Sequence, residues 1–136
     1  MVFTVRAIIE VAGFPEEHIK TVTEELVKHL ENNQQLKLQS HHLSDIKKIR
    51  DKLFSRYVEI EAKLPGFVVL NNFCFDYMPS SVELLDIEKI TVPVNEIRES
   101  TNDLLAKLHE YHGLIMSLSS KLKIAEAKIP KEKKEN

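Results

Sequence analysis

FVVLNNFCFDYM, residues 67–78, is the stretch on which the expected fold of this chain depends. Its apolar residues favour either a β-hairpin turning at Asn71-Asn72 or one buried helix. We predict a helix, because the chain then runs strand, helix, strand, strand, helix, strand, a common arrangement with one sheet covered on one face. The expected fold class is α+β: a ferredoxin-like split βαβ (βαββαβ) sheet covered by helices, plus a long C-terminal amphipathic helix.

The strands around this segment are predicted from the alternation of apolar and polar residues. Residues 3–11 and 57–64 alternate with a period of two, which indicates strands with one face on a core. The same pattern predicts a short strand at residues 36–38 and a last strand from residue 82 to about residue 92.

A first helix is predicted from Pro15 to about Glu31. Proline favours the first helical position, and the carboxylates that follow it suit the positive end of the helix dipole. Its apolar stripe is expected to comprise Ile19, Val22, Leu26 and Leu30.

The segment between the second and third strands leaves two alternatives open. Ser44-Asp45 could cap a short helix carrying Ile46, Ile49 and Leu53 on one side. A mobile excursion between two strands would give the same pattern.

The most regular pattern lies in the C-terminal part of the chain. Ten positions step by four and three in strict alternation, the spacing of a coiled-coil seam: Ile97, Thr101, Leu104, Leu108, Tyr111, Ile115, Leu118, Leu122, Ala125 and Ile129. Leu105 and Leu114 flank this seam and widen the apolar stripe, which favours a bundle over a simple two-stranded zipper. The predicted oligomer interface comprises Ile97, Leu104, Leu108, Tyr111, Ile115, Leu118 and Leu122.

The length of this helix favours association with another chain. A helix from residue 95 to residue 129 would be roughly 50 Å long, whereas a domain of about 90 residues has a radius of gyration of about 12 to 13 Å. An apolar stripe that extends beyond its own domain needs a cover. The alternative is that the helix folds back on its own sheet as far as Gly113.

Composition limits the function classes. The 136 residues are 43% hydrophobic and 29% charged with a formal net charge of −2, which argues against a wholly phosphate-binding surface. The single cysteine, Cys74, fits a reducing compartment, and no segment has the apolar length of a membrane span or signal peptide. We therefore expect a cytoplasmic protein, with a ferredoxin-like domain over residues 1–93, an oligomerisation arm over 94–129 and a disordered charged tail over 130–136.

The candidate chemical groups form no recognisable site. His109 and His112 are three residues apart, which can place two imidazoles on one metal, but no third ligand is marked. Gly13 lies between a strand and a helix, where anions can bind, although Glu16 and Glu17 already occupy that field. We predict no catalytic residue, no cofactor and no metal, and do not favour an enzyme.

Two segments are locally basic: a cluster set against Asp45 and Asp51, and a lysine-rich C-terminal stretch from Lys121 to Lys134. The candidate nucleic-acid patch is the first, which comprises Lys47, Lys48, Arg50, Lys52 and Arg56. RNA-binding sheets also need exposed aromatic side chains for stacking. The expected open face of the third strand offers Tyr57 followed by Glu59, Glu61 and Lys63, and we expect that face to repel phosphate.

Two segments resemble a known family. Phe73-Cys74-Phe75-Asp76-Tyr77-Met78-Pro79-Ser80-Ser81-Val82-Glu83 and the later Asn102-Asp103-Leu104-Leu105-Ala106-Lys107-Leu108-His109 resemble a family of small archaeal proteins with no assigned activity. The resemblance implies that the ambiguous segment ends as a helix before Pro79 and that a helical C-terminal arm belongs to the family. A looser likeness to ACT-type regulatory domains covers Val11 to Ile19.

Three hypotheses follow. The favoured one is a non-enzymatic module that forms a homodimer or higher oligomer through the C-terminal helix. The second is a nucleic-acid accessory protein that uses the Lys47–Arg56 cluster, and the third is an ACT-like domain that senses a small molecule.

Overall fold

The computed structural model describes residues 1–130, so the predicted tail over 130–136 lies, beyond Pro130, outside the described residues. The elements are β1 Val2–Gly13, α1 Glu16–Asn32, β2 Lys37–Leu43, β3 Lys47–Arg50, β4 Leu53–Pro65, α2 Phe67–Tyr77, β5 Ser81–Leu84 and α3 Val94–Ala127. The α+β class is confirmed. Residues 1–97 form one compact unit, and residues 98–130 belong to a second.

The sheet is antiparallel, with the strand order β2-β4-β1-β5 and with β3 paired to β4 beyond the end of β2. β1 and β4 pair along their whole length, from Val2 opposite Pro65 to Gly13 opposite Phe54. Both strands were predicted from their alternation, and the structure extends each by a few residues.

The core lies on one face of this sheet. It comprises the inward residues of the two central strands, Phe3, Val5, Ala7, Ile9, Val58, Ile60, Ala62 and Leu64, under Val27 and Leu30 of α1 and Leu70 and Phe73 of α2. Full burial of one such Val, Leu, Ile or Phe side chain is worth about 1.5–3 kcal/mol relative to exposure. The two helices are therefore held to the sheet mainly by apolar burial.

In the predicted stripe of α1, Ile19 and Leu30 are fully buried, Leu26 is half-buried against the core, and Val22 is half-buried. Thr23 and Val27, which were not predicted, are buried as well. Thr23 can enter the interior because its hydroxyl donates to the carbonyl oxygen of Ile19 at 2.8 Å, which satisfies the polar group within its own helix.

Residues 67–77 form α2, which confirms the helix prediction over the hairpin. Gly66, with φ of 93°, precedes the helix, and Met78 ends it in the left-handed region. The Tyr77 hydroxyl accepts a hydrogen bond from Asn33 Nδ2 at 2.9 Å and lies 2.7 Å from His29 Nδ1. The end of α2 is thereby tied to the end of α1.

Of the two alternatives left open after Ser44, the short helix is wrong, because residues 47–50 form β3 and make a hairpin with β4. The Ser44 hydroxyl accepts from the backbone N–H of Tyr57 at 3.0 Å, and the Ser44 N–H donates to the Tyr57 carbonyl at 3.0 Å. Both groups of Ser44 are therefore committed to β4 and do not cap a helix.

The last strand is shorter than predicted. β5 pairs with β1 only from Ser81 to Leu84, and Asp86 has φ of 58°. A left-handed residue is incompatible with a continuing strand, so the pairing with β1 ends at Leu84, two residues before Asp86.

Candidate association and nucleic-acid surfaces

The long helix α3 spans 34 residues from Val94 to Ala127, close to the predicted limits. At about 1.5 Å per residue its length is roughly 50 Å. No helix among residues 1–130 combines the length and apolarity that crossing a bilayer requires.

Most of the predicted interface residues on α3 are solvent-exposed. Ile115 and Leu118 are 63% exposed, Leu122 is 59% exposed, and Ile97 and Leu108 are about half exposed. Leu104 and Tyr111 are half-buried. The seam therefore presents large apolar side chains to water along several turns.

Apolar exposure on α3 is broader than the seam. Leu105 and Leu114, predicted to flank it, are about half exposed, and so are Met116 and Ile124, which the sequence analysis did not single out. Met116 and Ile124 lie off the regular spacing, so seam counting alone could not find them. From the sequence they could be recognised only as apolar residues on the side of α3 that was expected to be polar.

Charged residues flank the seam in a definite order. In heptad notation the seam occupies positions a and d, which puts Lys107, Lys121 and Lys128 at g positions and Arg98 and Glu126 at e positions. In a parallel pair of helices each g residue faces the e residue five positions further along the partner. Lys121 of one helix would then face Glu126 of the other.

The histidines on α3 do not assemble a metal site. His109 and His112 are both exposed, and no group of three or more potential metal-ligating side chains occurs within residues 1–130.

The predicted basic patch is only partly a free surface. Lys47, Lys48 and Arg50 lie on β3 and Lys52 lies in the turn that follows it, and all four are exposed. Arg56 is different: its Nε donates to the Ser44 carbonyl at 2.7 Å and its Nη1 donates to Thr23 Oγ1 at 3.3 Å. Arg56 therefore fastens β4 to α1 and to the start of the hairpin.

An aromatic pair that the sequence analysis missed lies beside this hairpin. Phe14 and Phe54 stack with ring centroids 6.4 Å apart and planes 23° from parallel. Phe14 is nevertheless 54% exposed. The pair joins the end of β1 to the start of β4, and residues so far apart in sequence gave no local signal of it.

The space next to Gly13 is occupied by protein. A Cβ at this position would stand 3.2 Å from Cδ1 of Ile19, closer than ordinary packing. The glycine therefore allows the first turn of α1 to lie close to the end of β1.

The open face of the sheet is dominated by carboxylates around one guanidinium. Arg6 Nη2 lies 2.9 Å from Glu61, Nη1 lies 3.5 Å from Glu83, and Nε lies 3.8 Å from Glu59. The hydrogen bond that Arg6 donates to Glu61 is the main cause of the raised pKa of Arg6, with smaller contributions from the charges of Glu61, Glu83 and Glu59, partly opposed by desolvation. Three negative charges around one positive charge make this cluster unfavourable for phosphate.

The thiol of Cys74 is a poor nucleophile in the folded chain. Cys74 lies on α2, half-buried against the core. Burial raises the pKa of this thiol, because it disfavours the charged thiolate. Cys74 thus belongs to the packing of α2.

Comparison with known protein families gives a match. A family model described as the MJ0538 family matches residues 4–134, almost the whole chain. A search of the curated proteins found no match.

Proposed function

The chain belongs to the MJ0538 family, and we propose that it acts by self-association, in pairs or larger bundles, through the apolar face of α3. The observation that carries this proposal is the exposure of the regular seam. Ile115, Leu118 and Leu122 are each about 60% exposed in a single chain.

The hydrophobic effect gives this seam a reason to associate. Covering a side chain that is already partly buried recovers only part of the roughly 1.5–3 kcal/mol that full burial of a Leu or Ile provides. Several such residues in line still supply enough to offset the entropy lost when two chains associate. Monomers rarely keep large contiguous apolar surfaces in water.

The flanking charges favour a parallel arrangement of the helices. A parallel pair brings Lys121 opposite Glu126 twice, once on each side of the seam. A fully overlapping antiparallel pair would bring Lys107 opposite Lys121 twice, while its favourable contacts would join Arg98 to Glu126. The parallel arrangement avoids these two like-charge contacts and is therefore favoured.

For the domain that carries α3 we propose a ferredoxin-like fold. The antiparallel strand order β2-β4-β1-β5 supports this, since β4 lies between β1 and β2 and the two connecting helices α1 and α2 contact the sheet. The additional strand β3 is then an insertion between the second and third strands of that arrangement.

A matched pair of variants tests the association proposal. Ile115→Asp places a charge in the seam, whereas Ile124→Asp makes the same change at a 57% exposed position off the seam. We expect the first variant to dissociate the oligomer and the second to leave it assembled, as measured by light scattering after gel filtration. Equal behaviour of the two variants, in either direction, would refute an interface centred on the seam.

A second candidate function is nucleic-acid binding by the basic hairpin, defined here as β3, the turn Asp51-Lys52 and the first residues of β4. The observation that favours it is the exposure of Lys47, Lys48, Arg50 and Lys52 on one short hairpin. Phosphate contacts predict an affinity that falls steeply between about 50 and 200 mM salt. No binding of RNA or DNA at low salt would exclude this function.

A further inference from the structure

We propose that the basic hairpin and Phe14 form a binding site for single-stranded nucleic acid, in which an unpaired base stacks on the Phe14 ring and the adjoining phosphates lie against the cations of β3. This inference rests on the second proposed function and specifies its ligand class and its stacking residue. It is independent of α3, since every residue in it belongs to residues 1–97.

The strand register brings the aromatic pair and the cations together. Phe54 is paired with Gly13 of β1 on one side and with Lys48 of β3 on the other. Directly paired residues of antiparallel strands lie on the same face of a sheet. Lys48 therefore shares a face with Phe54, and Phe54 in turn stacks on Phe14.

Phe14 has the properties of a stacking platform. Its ring is fixed from one side by Phe54, yet 54% of the residue remains in contact with solvent. A base stacked on such a ring covers apolar surface, and this interaction tolerates any base because every base has a π-face. Bases within a duplex are already stacked on one another, so an exposed ring selects for single strands.

The charges around the ring define where a phosphate backbone can run. Glu16 and Glu17 begin α1 immediately after Phe14-Pro15 and are exposed, so they repel phosphates on that side. Lys48 lies on the opposite side of the aromatic pair, at the outer strand of the hairpin. The neighbouring cations Lys47 and Arg50 pair with Ser55 and Leu53 and reach the other face of the same strand. A single strand that crosses the outer edge of β3 can thus contact cations on both faces while one base reaches Phe14.

The proposal also accounts for the acidic sheet face. Glu59, Glu61 and Glu83 surround Arg6 on the open face, so a strand of nucleic acid is directed away from the centre of the sheet. Binding is then confined to the end of the sheet where β3 replaces β2 as the neighbour of β4.

The experiment measures binding of a short labelled RNA by fluorescence anisotropy, as the single strand and as its duplex. Four full-length chains are compared: the unmodified chain, Phe14→Ala, Phe14→Trp, and Val2→Ala. Val2 is 57% exposed at the far end of β1, so its variant removes a comparable exposed apolar side chain away from the site. Circular dichroism melting shows that each variant is folded before its binding is compared.

We expect the unmodified chain to bind the single strand more tightly than the duplex. Phe14→Ala should weaken single-strand binding about tenfold, since stacking on one ring is worth roughly 1–3 kcal/mol. Phe14→Trp and Val2→Ala should keep the affinity of the unmodified chain. Neutralising Lys48 with Lys48→Gln should lower the slope of log affinity against log salt by about 0.7, the value for one phosphate contact in a single strand.

Two results would overturn the inference. The first retains nucleic-acid binding by the basic hairpin, and the second excludes it. Binding that prefers the duplex, or that Phe14→Ala leaves unchanged, would remove the stacking site but retain nucleic-acid binding by the hairpin. No binding of either form at low salt would remove the second proposed function together with the inference.

Discussion

At the scale of single residues, two arginines of the basic hairpin have different roles although the sequence presents them alike. Arg56 is half-buried and donates to Ser44 and Thr23, whereas Arg50 is exposed. Both arginines fall in one basic patch of the sequence, because side-chain hydrogen bonds to residues 12 and 33 positions away leave no local trace. Thr23 escaped prediction for a different reason: it is a polar residue, and its burial depends on a hydrogen bond to Ile19 within its own helix.

Because Arg56 makes these hydrogen bonds and Arg50 is exposed, substitution by alanine should lower the free energy of unfolding more at Arg56 than at Arg50. Arg56→Ala should lower the free energy of unfolding by about 1–2 kcal/mol, since it removes charge-assisted hydrogen bonds to partly buried acceptors. Arg50→Ala, on the surface of the same hairpin, should change it by less than about 0.5 kcal/mol. Urea unfolding followed by circular dichroism measures both values. Similar losses in the two variants would contradict a fastening role for Arg56.

Cys74 predicts a pH effect of definite sign. Its thiol pKa is raised in the folded chain, so folding favours the protonated form. The resulting stabilisation is complete below the unfolded thiol pKa of about 8.5 and is lost as the pH rises through the higher folded pKa. Cys74→Ala should therefore show a smaller loss of stability than the unmodified chain as the pH rises through that range, measured by urea unfolding.

In the unmodified chain, iodoacetamide should react more slowly with Cys74 in the native form than in the urea-unfolded form. Equal rates would contradict the burial argument.

At the scale of elements, alternation predicted β1 and β4, and chain topology correctly resolved residues 67–77 as a helix. The hairpin of β3 was missed because its turn, Asp51-Lys52, places Lys52 at φ of 57° without the glycine that usually marks such turns. The last strand was predicted to be longer than β5, because apolar residues continue the alternation after Leu84, beyond the turn at Asp86. Both failures lie at a non-glycine residue in the left-handed conformation, Lys52 in the first case and Asp86 in the second.

A charge reversal at Lys121 distinguishes parallel from antiparallel α3 helices, because it changes the strength of association in opposite directions in the two arrangements. In a parallel pair Lys121→Glu replaces two attractive contacts with Glu126 by two repulsive ones. At about 0.5 kcal/mol for each attraction and each repulsion, the change is about 2 kcal/mol and should weaken association about thirtyfold. The double variant Lys121→Glu with Glu126→Lys should restore it. Sedimentation at low salt measures the effect. A stronger oligomer from Lys121→Glu alone would indicate the antiparallel arrangement, where Lys121 faces Lys107.

At the scale of the whole molecule, the chain combines a folded α+β unit with a long helix whose apolar residues lie in water. The sequence predicted the helix and its seam because the spacing of four and three is a local property of one element. The wider apolar face at Met116 and Ile124 and the stacked pair beside the basic hairpin were not predicted, since the first lies outside the repeat and the second joins distant segments. Of these unpredicted features only the stacked pair belongs to the inferred nucleic-acid site, whose cations on β3 were identified from the sequence.

Sedimentation equilibrium of the unmodified chain measures self-association through α3. The single-chain mass is 15.7 kDa, so we expect an apparent mass that rises with concentration to an integer multiple of this value at tens of micromolar. A mass of one chain at every concentration in that range would rule out self-association through α3.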